Sequence, residues 1–284
     1  KYNVQILSSG GTYKEIKKLG FKSTEVSEYT NYPEVLEGRV KTLNPKIHAG
    51  ILMKRKNSKH KKDSLKNDFK EIDLVVVNFY PFEKTLNETK NHKKIIENID
   101  IGGPALVRAA AKNYNDVTIV TNTLQYDDLI FHLKKNNCCT PLKFRERLSN
   151  EAFAETSFYD GIISNYFNKI TKNDFPKKKT FTFKLHENLR YGENPHQESS
   201  LYIHDNYKFS QHNGKKLSYN NFNDIFAALN VSRSLPKNKG TVVVKHTNPC
   251  GVSINPNKIQ SFRNAIKSDP ISAFGGVISF NFKL

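Results

Sequence analysis

Glu71-Ile72-Asp73-Leu74-Val75-Val76-Val77-Asn78 sets four consecutive apolar residues, three of them β-branched, just ahead of Phe79-Tyr80-Pro81. Such a run reads as a strand buried on both faces, the pattern of a parallel sheet. Val117-Thr118-Ile119-Val120 has the same character, and Asn3-Val4-Gln5-Ile6-Leu7 gives a third strand that ends at Ser8-Ser9-Gly10-Gly11-Thr12. Helical patterns are expected from about Tyr13 to Leu19 and over 91–98, 104–113, 124–136 and 141–169. Strands alternating with helices predict an α/β layer architecture with a mainly parallel sheet. Ligands of such sheets collect past the carboxyl ends of strands, which are Ser9-Gly10-Gly11-Thr12 and Asn78-Phe79-Tyr80-Pro81 in this chain.

At 284 residues the chain is long enough for two domains. Thr171 to Lys179 breaks the pattern with Pro and charge. It divides the chain into a domain over 1–172, a linker over 173–183 and a second domain over 184–284. The second set of elements comprises strands at 180–185, 199–204, 241–245 and 276–280 and helices at 223–233 and 258–267. Lys54 to Lys66 reads as a solvated loop or helix face. The formal charge of +18 points toward anionic partners. Lys far outnumbers Arg, however, and Asn is abundant, a bias that AT-rich coding produces without functional demand. Cys138, Cys139 and Cys250 lack any C-x-x-C spacing, which argues against zinc and structural disulfides and for a reducing cytoplasmic compartment. No apolar run approaches the length of a membrane span. The chain begins at Lys1 without Met, and we expect an internal piece of a longer protein.

Asp100-Ile101-Gly102-Gly103-Pro104 leads into the helix formers Ala105 to Lys112. Pro104 suits a first helical turn, and the glycines let backbone approach a ligand in front of helix N–H groups. Ser9-Gly10-Gly11-Thr12 offers the same chemistry between a strand and a helix. In Gly38-Arg39-Val40-Lys41-Thr42-Leu43-Asn44-Pro45-Lys46-Ile47-His48-Ala49-Gly50, Arg39 and Lys41 alternate on an expected extended segment, and Pro45 turns a hairpin that brings His48 back. Each motif alone is equally compatible with a polar turn and solvated cations.

Taken in order, the GGT turn, the GRVKTLNP run, the NFYPF strand end and the DIGG…RAAAKN helix resemble the IMP cyclohydrolase domain of the bifunctional purine biosynthesis family. The resemblance implies a methylglyoxal-synthase-like three-layer α/β domain. It also implies closure of formylated aminoimidazole carboxamide ribotide (FAICAR) to IMP with loss of water. Ser9, Gly10, Gly11 and Thr12 would hold the phosphate with Arg39, Lys41 and Thr42. Tyr80, Asp100, Ile101, Gly102, Gly103 and Lys112 would surround the base. Lys41, Lys112 or Tyr80 would act as the acid, and Asp100 would accept or orient the amide proton. Asn44 stands where the family usually has His, and Ala49 where it has Gly.

In the second domain, Leu189-Arg190-Tyr191-Gly192-Glu193-Asn194-Pro195-His196-Gln197 packs a cation, an aromatic, an amide and an imidazole together. Lys245-His246-Thr247-Asn248-Pro249-Cys250-Gly251 follows the apolar Val242-Val243-Val244, which places Lys245 and His246 at a strand's carboxyl end. A neighbouring cation favours neutral imidazole, which can take a proton; Cys250 is a second candidate nucleophile. With Lys216 to Asn221 and Ser268 to Gly276, these motifs resemble the transformylase domain of the same family. That resemblance implies part of a cytidine-deaminase-like α/β domain without metal, and formyl transfer from the co-substrate 10-formyltetrahydrofolate to aminoimidazole carboxamide ribotide (AICAR). His246 would deprotonate the amine, and Lys245 would polarise the formyl oxygen or protonate the folate nitrogen. Arg190, Tyr191, Asn194, Phe274 and Gly275 would bind substrate. A homodimer is implied for the full-length protein, with AICAR, FAICAR and IMP as partners and neither nucleic acid nor membrane. Two other readings are a non-catalytic phosphate-sensing domain, against which Lys245-His246 argues, and a nucleic-acid binder. Only charge suggests the latter, without a basic-aromatic stripe.

Overall fold

A computed structural model describes residues 4–204 and 209–283. Two compact units, 1–182 and 183–284, divide within the stretch expected to link domains. Asn3, the first residue of the expected opening strand, lies outside the described residues.

The first unit opens with β1 (Leu7–Ser8), α1 (Gly10–Lys18), β2 (Thr24–Glu25) and α2 (Val26–Thr30). β1 and β2 pair in parallel, Leu7 opposite Thr24. The expected opening strand is therefore short. Val4 is 65% exposed, so its alternation has no core to bury into.

The extended reading of Arg39 to Lys41 is corrected. Residues 36–42 form successive tight turns, and Pro45 opens α3 (Pro45–Leu52) rather than turning a hairpin. Asn44 caps this helix, its side chain accepting the Lys46 N–H at 2.8 Å. An Asn-Pro pair fits the cap and first helical position, because proline's fixed φ is helical and its missing N–H is not needed there. His48 is not folded back; its Nδ1 lies 3.3 Å from the Asn44 carbonyl on its own helix. The lysine patch resolves into α4 (Ser58–Asn67), capped by Asn57 and burying no residue.

β3 (Leu74–Val76), α5 (Phe82–Glu88), α6 (His92–Glu97), α7 (Gly102–Lys112), β4 (Thr118–Val120), α8 (Tyr126–Lys135) and α9 (Leu142–Ile170) complete the unit. β3 and β4 pair in parallel, Val75 opposite Ile119. Val117, Ile119 and Val120 are fully buried beside Val107, Ala110 and Ala111 of α7. These small α7 side chains allow close packing on α9 and α3. Ser149 donates to the Ala111 carbonyl at 2.8 Å, and Asn113 donates to the Ile51 and Met53 carbonyls at 2.8 and 3.0 Å.

The second unit contains an antiparallel pair, β5 (Lys184–Asn188) with β6 (Ser200–Ile203). α10 (Tyr219–Ser234), β7 (Gly240–Lys245), β8 (Asn248–Ile254), α11 (Lys258–Ser268), α12 (Pro270–Ala273) and β9 (Val277–Phe280) follow. The sheet order is β8-β7-β9, antiparallel throughout. Val242, Val243 and Val244 are wholly buried, as a central strand requires. β8 is absent from the sequence reading; a two-residue turn after Lys245 sends the chain straight back as a strand. No helix among the described residues is long and apolar enough to cross a membrane.

Candidate active site

The amino end of α7 gathers the first unit's motifs. Gly10 has a φ of +55°, and a Cβ there would stand 2.7 Å from Lys41 Nζ. A Cβ on Gly102 would collide with Thr42 Oγ1, and one on Gly103 with the Asp100 carboxylate. Glycine is thus required at Gly10 by conformation and at Gly102 by close approach. Glu34 lies 3.7 Å from Lys41 Nζ, and Arg39 pairs with Glu97. Segments around Gly10, Lys41 and Gly102, remote in sequence, therefore meet.

Two helix starts and two ion-paired cations share this meeting point. Ser9 is the N-cap of α1 but makes no side-chain cap bond, and Gly11 and Thr12 are exposed on that helix's first turn. The Gly103 N–H at the start of α7 is taken by Asp100 Oδ1 at 2.8 Å. The remaining N–H donors of both helix starts are groups of the kind that bind phosphate, while Arg39 and Lys41 each already have a carboxylate partner, Glu97 and Glu34. Ile101 is 60% exposed between Asp100 and Gly102.

Past the carboxyl ends of β3 and β4 lies a cleft lined by Asn78, Tyr80, Thr121, Asn122, Glu155 and Tyr159, among others. Tyr159 joins this cleft to Asp100. Its hydroxyl accepts the Asp100 N–H at 2.8 Å and donates to the Asn98 carbonyl at 3.3 Å. Burial pushes the Tyr159 phenol above its ordinary value, and the nearby Asp100 charge acts in the same direction, while the Asp100 backbone bond opposes it.

Lys112 is not brought to this place within one chain. It ends α7, about 15 Å from Gly102 at 1.5 Å per residue. The contacts of Thr42 with Gly102 and of Asn113 with Ile51 show that α3 and α7 run in the same direction. Lys112 accordingly sits beside the far end of α3. Arg108 lies over the Phe153 ring at 5.8 Å.

In the second unit, two loops converge on the start of α10. The Arg190 N–H donates to the Leu217 carbonyl at 3.0 Å, and the Tyr219 N–H donates to the Tyr191 carbonyl at 3.1 Å. Asn220 donates to the Glu193 carbonyl at 3.0 Å. The Arg190 guanidinium stacks 4.7 Å over the Tyr191 ring, and the Asn194 N–H is held by Gln197 at 2.8 Å. Lys245 ends β7 and donates to the Phe274 carbonyl at 3.0 Å. Phe274 is exposed and Gly275 has a φ of +75°. His246 and Thr247 both adopt positive φ, 50° and 63°. Hydrogen bonds from Ser272 hold the Asp269 carboxyl below its ordinary value, and Lys245 adds to that effect. The Cys250 thiol points at the Val243 carbonyl, 3.6 Å away.

Four residues of these clusters escape a reading of the sequence: Glu34, Glu97, Tyr159 and Asp224, whose Oδ1 accepts the Thr247 N–H at 2.7 Å. Each is an ordinary surface or core residue by type, and only the fold shows its partner. Among the described residues no group of His, Cys, Asp or Glu is arranged to hold a metal ion.

The profile of the MGS-like domain matches residues 1–105, and that of the AICARFT/IMPCHase bienzyme matches residues 110–284. Over 99% of its length the chain is 43% identical to the Bifunctional purine biosynthesis protein PurH of Bradyrhizobium diazoefficiens, covering 54% of that protein. It is 44% identical to the protein of the same name from Persephonella marina, covering 56% of it. The chain thus spans about half the length of the curated relatives it matches. The crystal structure of ForH is similar with a TM-score of 0.51 and 28% identity, over 57% of this chain and 85% of that one.

Proposed function

The chain belongs to the AICARFT/IMPCHase bienzyme family, and on that premise we propose that its first unit closes FAICAR to IMP. The carrying observation is the approach of Gly10 to Lys41 and of Gly102 to Thr42. It supports reading three separate motifs as one anion-binding corner. Ser9, Gly10, Gly11 and Thr12, with Arg39, Lys41 and Thr42, hold the ribose phosphate. Tyr80, Asp100, Ile101, Gly102 and Gly103 face the base.

The chemistry asks mainly for positioning. The carboxamide nitrogen adds to the formyl carbon of the same molecule, so a C–N bond forms without a second reactant to be captured. The carboxamide nitrogen gives up one of its two protons and the formamido nitrogen its only one. The formyl oxygen takes up both and leaves as water while a C=N bond forms to the formamido nitrogen. Asp100 receives the amide proton, and Tyr80 or Lys41 supplies a proton to the oxygen. Lys112 stands a helix length away. A part for it in the same step requires delivery by a second copy, in keeping with a homodimer.

For the second unit we propose a share in formyl transfer from 10-formyltetrahydrofolate to AICAR. The amine of AICAR bonds to the formyl carbon and gives its proton to His246. Lys245 polarises the formyl oxygen or protonates the folate nitrogen, whose bond to the formyl carbon breaks to release tetrahydrofolate. Arg190, Tyr191, Asn194, Phe274 and Gly275 contact substrate. The cytoplasm is the compartment that suits this chemistry and the three free thiols. Incubating the 284-residue chain with FAICAR and following IMP by absorbance tests the first activity; no IMP refutes it. Supplying AICAR and 10-formyltetrahydrofolate to the protein tests the second.

A further inference from the structure

We propose that Tyr159 is a positioning residue for ring closure, its hydroxyl fixing the backbone at Asp100 and thereby aiming the Asp100 carboxylate. This inference rests on the cyclohydrolase function proposed above.

Asp100 sits in the short connection between α6, which ends at Glu97, and α7, which starts at Gly102. Its amide has no helical carbonyl to bond. The Tyr159 hydroxyl accepts that amide at 2.8 Å and donates to the Asn98 carbonyl at 3.3 Å. One hydroxyl therefore grips the connection at two residues. The Asp100 side chain is held separately, with Oδ1 accepting the Gly103 N–H at 2.8 Å. Backbone and carboxylate are fixed by different groups, which leaves little freedom at Asp100.

The ring of Tyr159 is seated by the strand end that carries Tyr80. Phe79 lies 5.0 Å and Phe82 6.2 Å from it, centroid to centroid. α9 thus ties together the two segments that face the base. A phenol held above its ordinary value remains a donor to Asn98 across neutral pH. Tyr159→Phe deletes the grip and keeps the ring.

The test uses the 284-residue chain with FAICAR. Tyr159→Phe should lower kcat about tenfold, which is about 1.4 kcal/mol on the barrier, with KM and IMP affinity within twofold. In an Asp100→Asn background the same substitution should cost nothing further, since Tyr159 acts through Asp100. An unchanged kcat, or losses that multiply in full in the double variant, would overturn the proposal. Amide exchange in the wild-type chain is a second reading that does not depend on the variant folding. A protected Asp100 amide supports the grip, and unprotected exchange overturns it. A wild-type chain that makes no IMP removes the functional proposal and this one with it. Turnover by wild type beside an unaffected Tyr159→Phe removes this one alone.

Discussion

The Thr247 backbone N–H donates to Asp224 Oδ1 at 2.7 Å, and this bond holds a turn whose conformation its residues disfavour. Lys245 pairs with Asn248 across a two-residue loop. Both loop residues have positive φ, the requirement of the turn that matches strand twist. Left-handed backbone costs a β-branched residue about 1–2 kcal/mol. Such local strain persists where surrounding bonds over-determine it. Asn248 adds one such bond to the His246 carbonyl at 2.9 Å.

Asp224→Ala should lower stability by about 1–2 kcal/mol, the loss of a charge-assisted hydrogen bond. Thr247→Gly should act in the opposite direction by relieving the left-handed penalty. Urea titration reads both as shifts of the midpoint at constant slope. A destabilised Thr247→Gly would mean that the turn is not strained.

Gly102→Ala should disturb the anion corner, because its methyl group would meet Thr42 Oγ1. Nothing stands within 4 Å of a Cβ at Gly11. Gly11→Ala should therefore stabilise α1 by roughly 0.5–1 kcal/mol. Thermal melts should move in opposite directions for the two variants.

Lys41→Ala should slow cyclisation at least about tenfold, or about 1.4 kcal/mol. Its ammonium lies against both Gly10 and Glu34, at the centre of the corner. Steady-state IMP production decides the matter, and wild-type turnover would remove Lys41 from the site.

Stability should fall at both extremes of pH for nameable reasons. Tyr159 titrates above the usual 10.0 because burial disfavours its anion. Its contribution is complete below that value and disappears as pH rises through the raised one. Asp269 titrates below the usual 3.8 because Ser272 donates to it. Its contribution is complete above that value and disappears as pH falls through the lowered one. Tyr159→Phe should flatten the alkaline limb of a melting-temperature profile, and Asp269→Asn the acid limb.

Much of the fold is legible in the sequence, because the β-branched runs at Leu74–Val76, Thr118–Val120 and Val242–Val244 are long enough to signal strands by themselves. The run from Gly38 to Gly50 misleads. Alternation of Arg39 and Lys41 imitates a strand, and the Asn44-Pro45 pair can be read as a turn or as a helix start. Its helical nature depends on Ile47 and Ile51 finding the core beside α7. Glycines and cations of the candidate site are visible as types. Their supports are not, since a tyrosine on a long helix and an aspartate on another carry no mark of the distant amides they receive. The separation of Lys112 from Lys41 likewise follows from the parallel course of two helices, which no local pattern encodes.

Helix α10 serves as a ruler in the second unit. Tyr219 and Asn220 receive the Arg190 loop, and Asp224 receives the His246 turn. Five residues of helix, about 7.5 Å, therefore gauge the spacing of those two attachment points. Lengthening either loop would not retune that interval. Adding one residue between Asn220 and Asp224 would swing the second anchor by about 100° around the helix axis, so insertions should be barred from this one turn even where substitutions are tolerated.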